Sequence, residues 1–462
     1  MPLIASISGI RGVFGDGLDP EVLVRYASAY AIWCRDQTSE TPLIVVGRDA
    51  RLSGPVCSRI VTATLQSAGC NVIDAGLATT PTVEMAVLKE HAAGGIVFSA
   101  SHNPAEWNAL KLLNARGEFL TVADGEVVMQ RADNAPNAAV GFDAIGSIER
   151  RDYLDYHIEQ ILKLPFVNLE QIQRRRFKVV VDAVNSVGGI AVPALLRSMG
   201  VLTSDITLLN CEPTGLFAHD PEPLRANLTD LMSAVTVAGA DIGIAVDPDV
   251  DRLALVQDDG AFFGEELTQV LAADFIWSRN SGPFVTNLSS SRAIDDVAAR
   301  HGQIVHRSAV GELHVVEKMK EVGAILGGEG NGGVILPDLH FGRDGLVGIA
   351  IALQLLADRE TSLSEVRSRM PNYVMAKRKV SIDGLDPDDV LARLKDESTG
   401  LRVTDVDGVK IDLDEGWVHL RKSNTEPIIR VYSEATEAAT ANELADRYVR
   451  HVKRIAQNRP ES

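Results

Sequence analysis

Three aspartates stand at alternate positions directly after an apolar run. The segment ADIGIAV leads into Asp247, Asp249 and Asp251, so three carboxylates emerge where a buried strand is expected to end. Because these carboxylates repel one another and oxygen ligands suit a hard divalent cation, the spacing predicts a Mg²⁺ site, against the alternative of a solvated acidic turn. An EF-hand is excluded, since Arg252 stands where that loop needs glycine and Asp258 where it needs glutamate. Arg252 is a further candidate residue of the site.

The loop SASHNP places small polar residues between two apolar runs. Ser101 is a candidate nucleophile, with His102 beside it. Asn103 as N-cap, Pro104 at the first helical position and Glu106 at the third predict that a helix begins here, and its N-terminus would offer donors to a phosphorylated serine. A Ser-His-Asp hydrolase is disfavoured because no G-x-S-x-G motif surrounds Ser101.

Other segments offer groups that bind phosphate or sugar hydroxyls. Lys111 follows the serine loop, and Arg11 lies in a glycine-flanked turn near the N-terminus. Glu329 and Asn331 stand in the loop GGEGNGG, whose glycines allow a ligand to approach the backbone. The segment RKSNTEP, followed by Arg430, collects the guanidinium groups, hydroxyls and turn amides that a phosphate monoester needs.

The elements that must position these residues recur in a fixed order. Patterns for strand, helix, strand, helix and strand follow one another from residues 43, 177 and 283, and each third strand leads into SASHNP, DPDVDR or GEGNGG. Apolar strands alternating with helices predict α/β domains with mostly parallel sheets, whose ligand-binding loops lie at the carboxyl ends of the strands. Beyond about residue 372 the order changes to that of an α+β domain, after a helix with a Ser362/Glu365 capping pattern.

The composition is that of an ordinary globular protein. The chain has 462 residues, 45% hydrophobic and 23% charged, a length for two to four domains. No run is apolar and long enough for a membrane helix and the N-terminus lacks a secretory pattern, so we expect a cytoplasmic protein. The net charge of -18 argues against nucleic acid or an anionic membrane as a partner. Isolated cysteines predict reduced core residues at Cys34, Cys57, Cys70 and Cys211.

Taken together, these motifs resemble those of the α-D-phosphohexomutase superfamily over essentially the whole chain. The matching segments, in the family's order and spacing, are SGIRGVFG, VGRDARLSG, SASHNP with NALKLL, HDPEPLRANL, VDPDVDR, VGELHVVEKM, GEGNGG, RDGL and RKSNTEP. The resemblance implies an isomerase, an intramolecular phosphotransferase that interconverts hexose 1-phosphate and 6-phosphate. It also implies a phosphoserine, a hexose 1,6-bisphosphate intermediate and activator, and three similar α/β domains plus a C-terminal α+β domain around a central cleft.

The resemblance assigns roles to individual residues. Ser101 is implied to be the phosphoserine, and His102 to orient its loop or contact a phosphate. Arg11 and Lys111 match positions with acid–base or phosphate-positioning roles, and either could be the base. The implied ligands of Mg²⁺ are the Ser101 phosphate, Asp247, Asp249 and Asp251. The implied contacts to the sugar hydroxyls and to the non-reacting phosphate are Glu329 and Asn331, and Arg421, Ser423, Asn424, Thr425 and Arg430.

The repeated order of elements and the family resemblance together predict four domains. They are residues 1–151 with the phosphoserine loop, 152–256 with the metal-binding loop, 257–370 with the sugar-binding loop and 371–462 with the phosphate-binding loop.

The chain departs from the family pattern at several positions. Asn331 begins Asn-Gly-Gly where many bacterial members have Ser-Gly-His, and His314, a candidate substrate contact, stands where asparagine is expected. Ser186 replaces a common glycine, which we interpret as a minor change. The forms GEGNGG and VGELHVVEKM look like a branch named phosphoglucosamine mutase. Glucosamine phosphate is therefore the first-choice substrate, with phosphoglucomutase or phosphomannomutase activity as the alternative.

Two other classes of function stay open at this point. A Mg²⁺-dependent sugar-phosphate phosphatase, such as one of the haloacid dehalogenase type, would use an aspartate as nucleophile and would leave the SHNP segment unexplained. A non-catalytic sugar-phosphate-binding protein would never carry phosphoserine. The expected partner is a small phosphosugar, and the expected oligomeric state is a monomer or a dimer.

Overall fold

A computed structural model describes residues 3–6, 9–134, 137–382, 386–423 and 428–457 of the chain. Its backbone contacts divide the chain into two units, one within 1–275 and 331–368 and the other within 276–330 and 369–462. In the described ranges, no helix has both the length and the apolar character that crossing a bilayer requires.

The first unit begins with an α/β segment built on a mixed sheet. Its elements are β1 (Ile4–Ser6), β2 (Gly9–Phe14), β3 (Gly17–Leu18), α1 (Pro20–Asp36), β4 (Leu43–Arg48), α2 (Gly54–Ser67), β5 (Asn71–Leu77), α3 (Thr80–Glu90), β6 (Gly94–Phe98), β7 (Trp107–Leu113), α4 (Val122–Asp133) and β8 (Ile148–Arg150). The strands lie in the order β1-β2-β7-β6-β4-β5-β8, and β3 pairs with β2. Alternate side chains of β4 enter opposite cores, with Ile44 in the cluster of α1 and α2 and Val45 in that of α3. Helices therefore cover both faces of this sheet.

A second α/β segment completes most of the first unit. Its elements are α5 (Leu154–Leu162), α6 (Leu169–Arg175), β9 (Val179–Asp182), α7 (Gly188–Ser198), β10 (Ile206–Leu209), α8 (Thr229–Ala238), β11 (Ile242–Val246), β12 (Leu253–Gln257) and α9 (Glu265–Trp277). The strand order is β10-β9-β11-β12. β9 is parallel to β10 and β11, and β12 is antiparallel to β11.

The second unit opens with a third segment of the same kind. Its elements are β13 (Phe284–Asn287), α10 (Ala293–His301), β14 (Val305–Ser308), α11 (Glu312–Val322) and β15 (Leu326–Glu329). β13 is parallel to both β14 and β15. The chain then returns to the first unit with β16 (Gly333–Ile335), α12 (Gly345–Arg359) and α13 (Leu363–Ser368). The predicted capping box starts α13, since Ser362 and Glu365 exchange side-chain and backbone hydrogen bonds of 3.3 Å.

The C-terminal part of the second unit is an antiparallel sheet with two helices. Its elements are β17 (Val374–Ser381), α14 (Pro387–Glu397), β18 (Arg402–Thr404), β19 (Val409–Asp412), β20 (Gly416–Lys422), β21 (Ile428–Ala435) and α15 (Ala438–Gln457). The strand order is β17-β21-β20-β19-β18. This arrangement confirms the predicted α+β character of the C-terminal domain.

The three α/β segments share one strand order. In each segment the first strand lies between the second and the third, as in β5-β4-β6, β10-β9-β11 and β14-β13-β15. The third strand of each segment leads into one of the polar loops found in the sequence. The prediction of three similar α/β domains followed by an α+β domain is therefore confirmed.

The predicted helix start at Asn103 is wrong. Residues 99–106 form turns, and β7 follows as a strand paired with β6 on one edge and β2 on the other. The apolar side chains of β7 that follow Trp107 are buried, and both edges of the strand find hydrogen-bond partners, so tertiary pairing overrides the local capping pattern. Within the described residues, no helix therefore begins at the loop of Ser101.

Candidate active site

Ser101 lies in the loop that follows the carboxyl end of β6. The residue is only 3% exposed, and its backbone φ of 49° lies in the left-handed region. That conformation costs a non-glycine residue roughly 1–2 kcal/mol, and such strain is concentrated at functional sites. The Ser101 hydroxyl donates a hydrogen bond of 2.6 Å to Asp247 Oδ2. The predicted nucleophile and the predicted metal loop are therefore in direct contact.

The three aspartates of the metal loop follow β11 and are fully buried. One carboxylate oxygen from each of Asp247, Asp249 and Asp251 lies within 4.8 Å of the other two. Asp249 Oδ1 and Asp251 Oδ1 accept no hydrogen bond from any described residue. Buried oxygens without donors, within a set of hard oxygen ligands, fit a divalent cation such as Mg²⁺.

Two buried cations and a hydroxyl lie against these aspartates. Lys111 Nζ lies 2.6 Å from Asp249 Oδ2 and 3.2 Å from Asp251 Oδ2. Arg343 Nη2 lies 2.8 Å from Asp251 Oδ2, and Thr80 donates its hydroxyl to Asp249 Oδ2 at 2.5 Å. Sequence reasoning gave no role to Arg343, although it lies in the motif RDGL, and Thr80 belongs to no motif at all.

Neighbouring cations stabilise the negative charges of the aspartates to different extents. Burial, followed by the charges of Asp251 and Asp249, raises the pKa of Asp247 well above its ordinary value. Burial opposes ionisation of Asp251 as well, but Arg343 and Lys111 outweigh it and hold that pKa far below the ordinary value. A cation bound beside Asp247 would offset the repulsion from Asp249 and Asp251. The charges of the three aspartates, like their oxygen ligands, therefore fit a divalent cation.

Arg11 contacts the serine loop, and His102 is part of it. Arg11 Nη1 donates a hydrogen bond of 2.9 Å to Asn103 Oδ1. His102 Nδ1 lies 3.4 Å from Ser101 Oγ. Burial, Arg252 and Arg11 lower the pKa of His102 well below its ordinary value, so the ring is neutral at pH 7. A neutral imidazole at this distance can exchange a hydrogen bond with the serine hydroxyl.

Arg252 completes this group of residues. Its backbone N–H donates to Asp247 Oδ1 at 3.1 Å, and its guanidinium group lies 3.7 Å from Glu222 Oε1 and 3.8 Å from Asp251 Oδ1. The predicted residues that come together in the first unit are Arg11, Ser101, His102, Lys111, Asp247, Asp249, Asp251 and Arg252.

Glu329 lies at the end of β15 in the second unit. Its Oε1 accepts hydrogen bonds from Asn287 Nδ2 at 2.8 Å and from the backbone N–H of Gly311 at 3.1 Å. His314 lies in the first turn of α11, which begins directly after Gly311, and its ring nitrogen lies 3.7 Å from Glu317. Glu329 and His314 are thus both close to the N-terminus of α11.

The predicted phosphate-binding residues lie on the hairpin of β20 and β21. Arg421 and Arg430 are directly opposite each other in the two strands. Arg430 Nη2 lies 3.5 Å from Ser423 Oγ, at the limit of a hydrogen bond. Asn424 and Thr425 lie outside the described residues. Two guanidinium groups and a hydroxyl on one hairpin end can bind a phosphate.

Four family models match successive parts of the chain. The α/β/α domains I, II and III and the C-terminal domain of phosphoglucomutase/phosphomannomutase match residues 4–138, 153–260, 264–373 and 365–451. The chain belongs to the phosphoglucomutase/phosphomannomutase family. It is therefore a phosphohexomutase, an isomerase that acts by intramolecular phosphoryl transfer.

Individual relatives align over nearly the whole chain. A phosphoglucomutase/phosphomannomutase of Thermococcus kodakarensis is 36% identical over 442 residues, which cover 95% of this chain and 96% of the relative. A probable phosphoglucosamine mutase of Methanopyrus kandleri is 34% identical over 462 residues, covering 97% and 98%. The crystal structure of a family protein from Burkholderia thailandensis superposes with a TM-score of 0.84 at 27% identity, covering 99% of this chain and 98% of that one.

Two positions where this phosphohexomutase departs from the family pattern lie in the first unit. Asn331 Oδ1 accepts a hydrogen bond of 3.2 Å from the backbone N–H of Gly333, so the side chain caps its own loop. Ser186 is fully buried and has hydrogen-bond partners in two other loops. The interpretation of Ser186 as a minor change understates its contacts.

A second buried cluster in the phosphohexomutase also has the composition of a metal site. His157 Nε2 and His340 Nε2 lie 2.9 and 3.3 Å from Asp344 Oδ2. The other ring nitrogens lie 3.0 Å from Thr82 Oγ1 and 3.2 Å from Glu84 Oε2. Three of the four ring nitrogens are hydrogen-bonded to an oxygen, and the fourth, His340 Nδ1, is paired with the Glu84 carboxylate, so we interpret this cluster as a structural network.

Proposed function

We propose that this phosphohexomutase interconverts glucosamine 6-phosphate and glucosamine 1-phosphate, with Ser101 as the phosphorylated residue. The observation that carries the proposal is the 2.6 Å hydrogen bond from Ser101 Oγ to Asp247, beside two aspartates whose second oxygens have no donor among the described residues. A serine beside a divalent-cation site suits phosphoryl transfer better than acyl hydrolysis, which needs an activating His-Asp pair.

The proposed reaction consists of two phosphoryl transfers. In the first, the bond from phosphorus to Ser101 Oγ breaks while a bond forms to the free hydroxyl oxygen of a hexose monophosphate. The proton of that hydroxyl passes to a base of the enzyme, and Ser101 Oγ takes up a proton to become a hydroxyl. The resulting 1,6-bisphosphate turns round within the site. Its other phosphoryl group then returns to Ser101 Oγ, which gives up its proton, and the sugar oxygen that this group leaves is protonated.

Charge compensation is the main task of the site in such a reaction. Asp247, Asp249 and Asp251 would hold Mg²⁺, which would neutralise the charge that develops on the transferred phosphoryl group. Lys111 and Arg11 are the proposed partners of the phosphoryl oxygens and of the transferred proton. His102 is proposed to orient the serine loop through its neutral ring.

The remaining predicted residues are proposed to bind the substrate. Glu329, Asn331 and His314 would form hydrogen bonds with sugar hydroxyls. A single set of groups must hold the non-reacting phosphate in both orientations of the bisphosphate. The proposed set is Arg421, Ser423, Asn424, Thr425 and Arg430.

Glucosamine phosphate is supported by the names of several relatives that are 30–34% identical, among them the Methanopyrus kandleri protein. Glucose or mannose phosphate is the second candidate, because the relative at 36% identity is named a phosphoglucomutase/phosphomannomutase. Comparing kcat/KM for glucosamine, glucose and mannose 1-phosphates would decide between them, and a higher value for glucose or mannose would overturn the first choice.

Intact-mass measurement tests the phosphoserine directly. After incubation with glucose 1,6-bisphosphate and Mg²⁺, the wild-type protein should gain one phosphate, which Ser101→Ala should not gain. Ser67→Ala, which changes an exposed serine of α2, serves as the matched control. Release of inorganic phosphate in place of isomer would show a phosphatase and contradict the proposal.

A further inference from the structure

The loop of Ser101 is held by a buried arginine in place of the predicted helix. Arg51 lies in the turn after β4, and its side chain is 0% exposed. Its Nη2 donates to the carbonyl oxygens of Ser101 at 2.5 Å and Asn103 at 2.7 Å, and its Nη1 donates to those of Pro104 at 2.5 Å and Trp107 at 3.0 Å. Four carbonyl groups of one loop thus converge on one guanidinium group.

The fifth N–H donor of Arg51 forms a buried ion pair with Asp49. Arg51 Nε lies 3.0 Å from Asp49 Oδ2, and the Asp49 side chain is also 0% exposed. The same Asp49 oxygen accepts the hydroxyl of Ser99 at 2.7 Å, and Ser99 Oγ accepts the backbone N–H of Ser101 at 2.9 Å. The N–H and the C=O of Ser101 are therefore both tied to one buried ion pair.

This double attachment explains how Ser101 keeps its left-handed backbone. A φ of 49° is uncommon for serine, and it persists only where the surroundings fix the peptide groups on both sides. Arg51 fixes the peptide that follows Ser101, and Asp49, through Ser99, fixes the one before it. The direction of the Cα–Cβ bond, and with it the position of Oγ beside Asp247, follows from that backbone.

The ion pair is also attached to its own surroundings. The backbone N–H of Asp49 donates to the carbonyl of Phe98 at 3.1 Å, at the end of β6. The guanidinium carbon of Arg51 lies 4.9 Å from the ring centroid of Phe217, which stacks over it. Arg51 is completely buried and all five of its N–H donors are directed to Asp49 and loop carbonyls, so it acts on the reaction only through the backbone.

We infer that the buried Asp49–Arg51 ion pair sets the position of Ser101 Oγ for phosphoryl transfer, which makes Arg51 a positioning residue of the reaction. The inference rests on the proposed function of Ser101. A planar guanidinium group suits this task because its donors leave in fixed directions, whereas the ammonium group of lysine has three donors at one point.

Arg51→Lys tests the inference with the charge retained. We expect kcat to fall by about 100-fold, because small displacements of a reacting atom have effects of that size. KM for the sugar phosphate should change by less than about threefold, because the proposed substrate-binding groups are intact. Hydrogen exchange of the backbone amides of residues 99–107 should rise. Arg151→Lys, at a half-exposed arginine paired with Glu90 and Glu149, should leave all three quantities unchanged.

A folded Arg51→Lys protein with wild-type kcat and wild-type exchange in the loop would overturn the inference, as would a change confined to KM.

If Arg51→Lys does not fold, Ser99→Ala decides the question, because it removes the link from the Ser101 N–H to Asp49 and keeps the ion pair. We expect a roughly tenfold lower kcat and faster exchange at Ser101, and no change in either would overturn the inference. Failure of the proposed function is distinguishable, since the wild-type protein would then neither take phosphate from glucose 1,6-bisphosphate nor isomerise any sugar phosphate.

Discussion

The hydroxyl of Ser186 donates a hydrogen bond of 2.6 Å to the carbonyl oxygen of Pro248, in the middle of the metal loop. Ser186 Oγ in turn accepts a hydrogen bond of 3.3 Å from the backbone N–H of Ala50, the residue between the two members of the Asp49–Arg51 ion pair. One buried hydroxyl thus joins the loop of the aspartates to the turn that holds the serine loop. The glycine that is common at this position in the family has no side chain to make either bond.

Ser186→Ala should therefore destabilise the protein. The substitution leaves the Pro248 carbonyl and the Ala50 N–H buried without a partner, which costs about 1–3 kcal/mol. Urea unfolding of the wild type and of Ser186→Ala measures the difference in the free energy of unfolding. Ser67→Ala on the surface of α2 is the control. A stability equal to that of wild type would show that the two groups find other partners.

Asp249→Asn should abolish mutase turnover and leave the fold intact. The change removes one charge of the proposed Mg²⁺ site and weakens the ion pair with Lys111. Loss of metal assistance worth several kcal/mol corresponds to a rate loss of about 10³-fold or more. Chelation should inactivate the wild-type protein in the same way, and added Mg²⁺ should restore it. Asp230→Asn, at an exposed position of α8, should behave as wild type. Full turnover of Asp249→Asn, or of the chelated enzyme, would exclude a metal at these aspartates.

The sequence was sufficient to predict the repeated α/β order, because buried strands and amphipathic helices leave local patterns. That Ser101 and the aspartates share a site was implied only by the family resemblance, because their loops follow strands of two different sheets. The predicted α/β order depends on short-range patterns combined with a topological rule.

The residues that the sequence did not reveal act across long distances in the chain. Arg51 holds carbonyls that lie 50 to 56 positions away, Arg343 pairs with Asp251 and Thr80 with Asp249. No local pattern marks such a contact. The incorrect helix after Asn103 has the same origin, since the capping residues are a true local signal that strand pairing on both edges of β7 overrides.

His340→Gln should lower stability most in acid and neutral solution. Burial alone would lower the pKa of His340, but the neighbouring carboxylates of Asp344 and Glu84 raise it to about 10. A raised pKa contributes stability that is complete below the ordinary value near 6.5 and disappears as pH rises through about 10. Removing the cation leaves the buried carboxylates of Asp344 and Glu84 without it, at a cost of about 3–5 kcal/mol.

Urea unfolding at pH 6, 8 and 10 measures the difference between the wild type and His340→Gln. The difference should be largest at pH 6 and should shrink toward pH 10, where the wild-type imidazole also loses its proton. His91→Asn changes an exposed histidine at the end of α3 and should give a small difference that does not vary with pH. A large difference that is equal at all three pH values would mean that packing, and not the charge of His340, carries the stability.

Arg421→Met should weaken binding of both substrates by the same factor. Arg421 is partly buried, and its Nε has no hydrogen-bond partner among the described residues, so a donor is left for an anion. Losing a charge-assisted contact to phosphate is worth about 1.5–3 kcal/mol, equivalent to roughly 10- to 150-fold in KM. Because one set of groups is proposed to hold the non-reacting phosphate in both orientations, KM for glucosamine 1-phosphate and for glucosamine 6-phosphate should rise together. Arg447→Met, at an exposed arginine of α15, is the control. A rise for only one of the two substrates would mean that the two phosphates are bound by different residues.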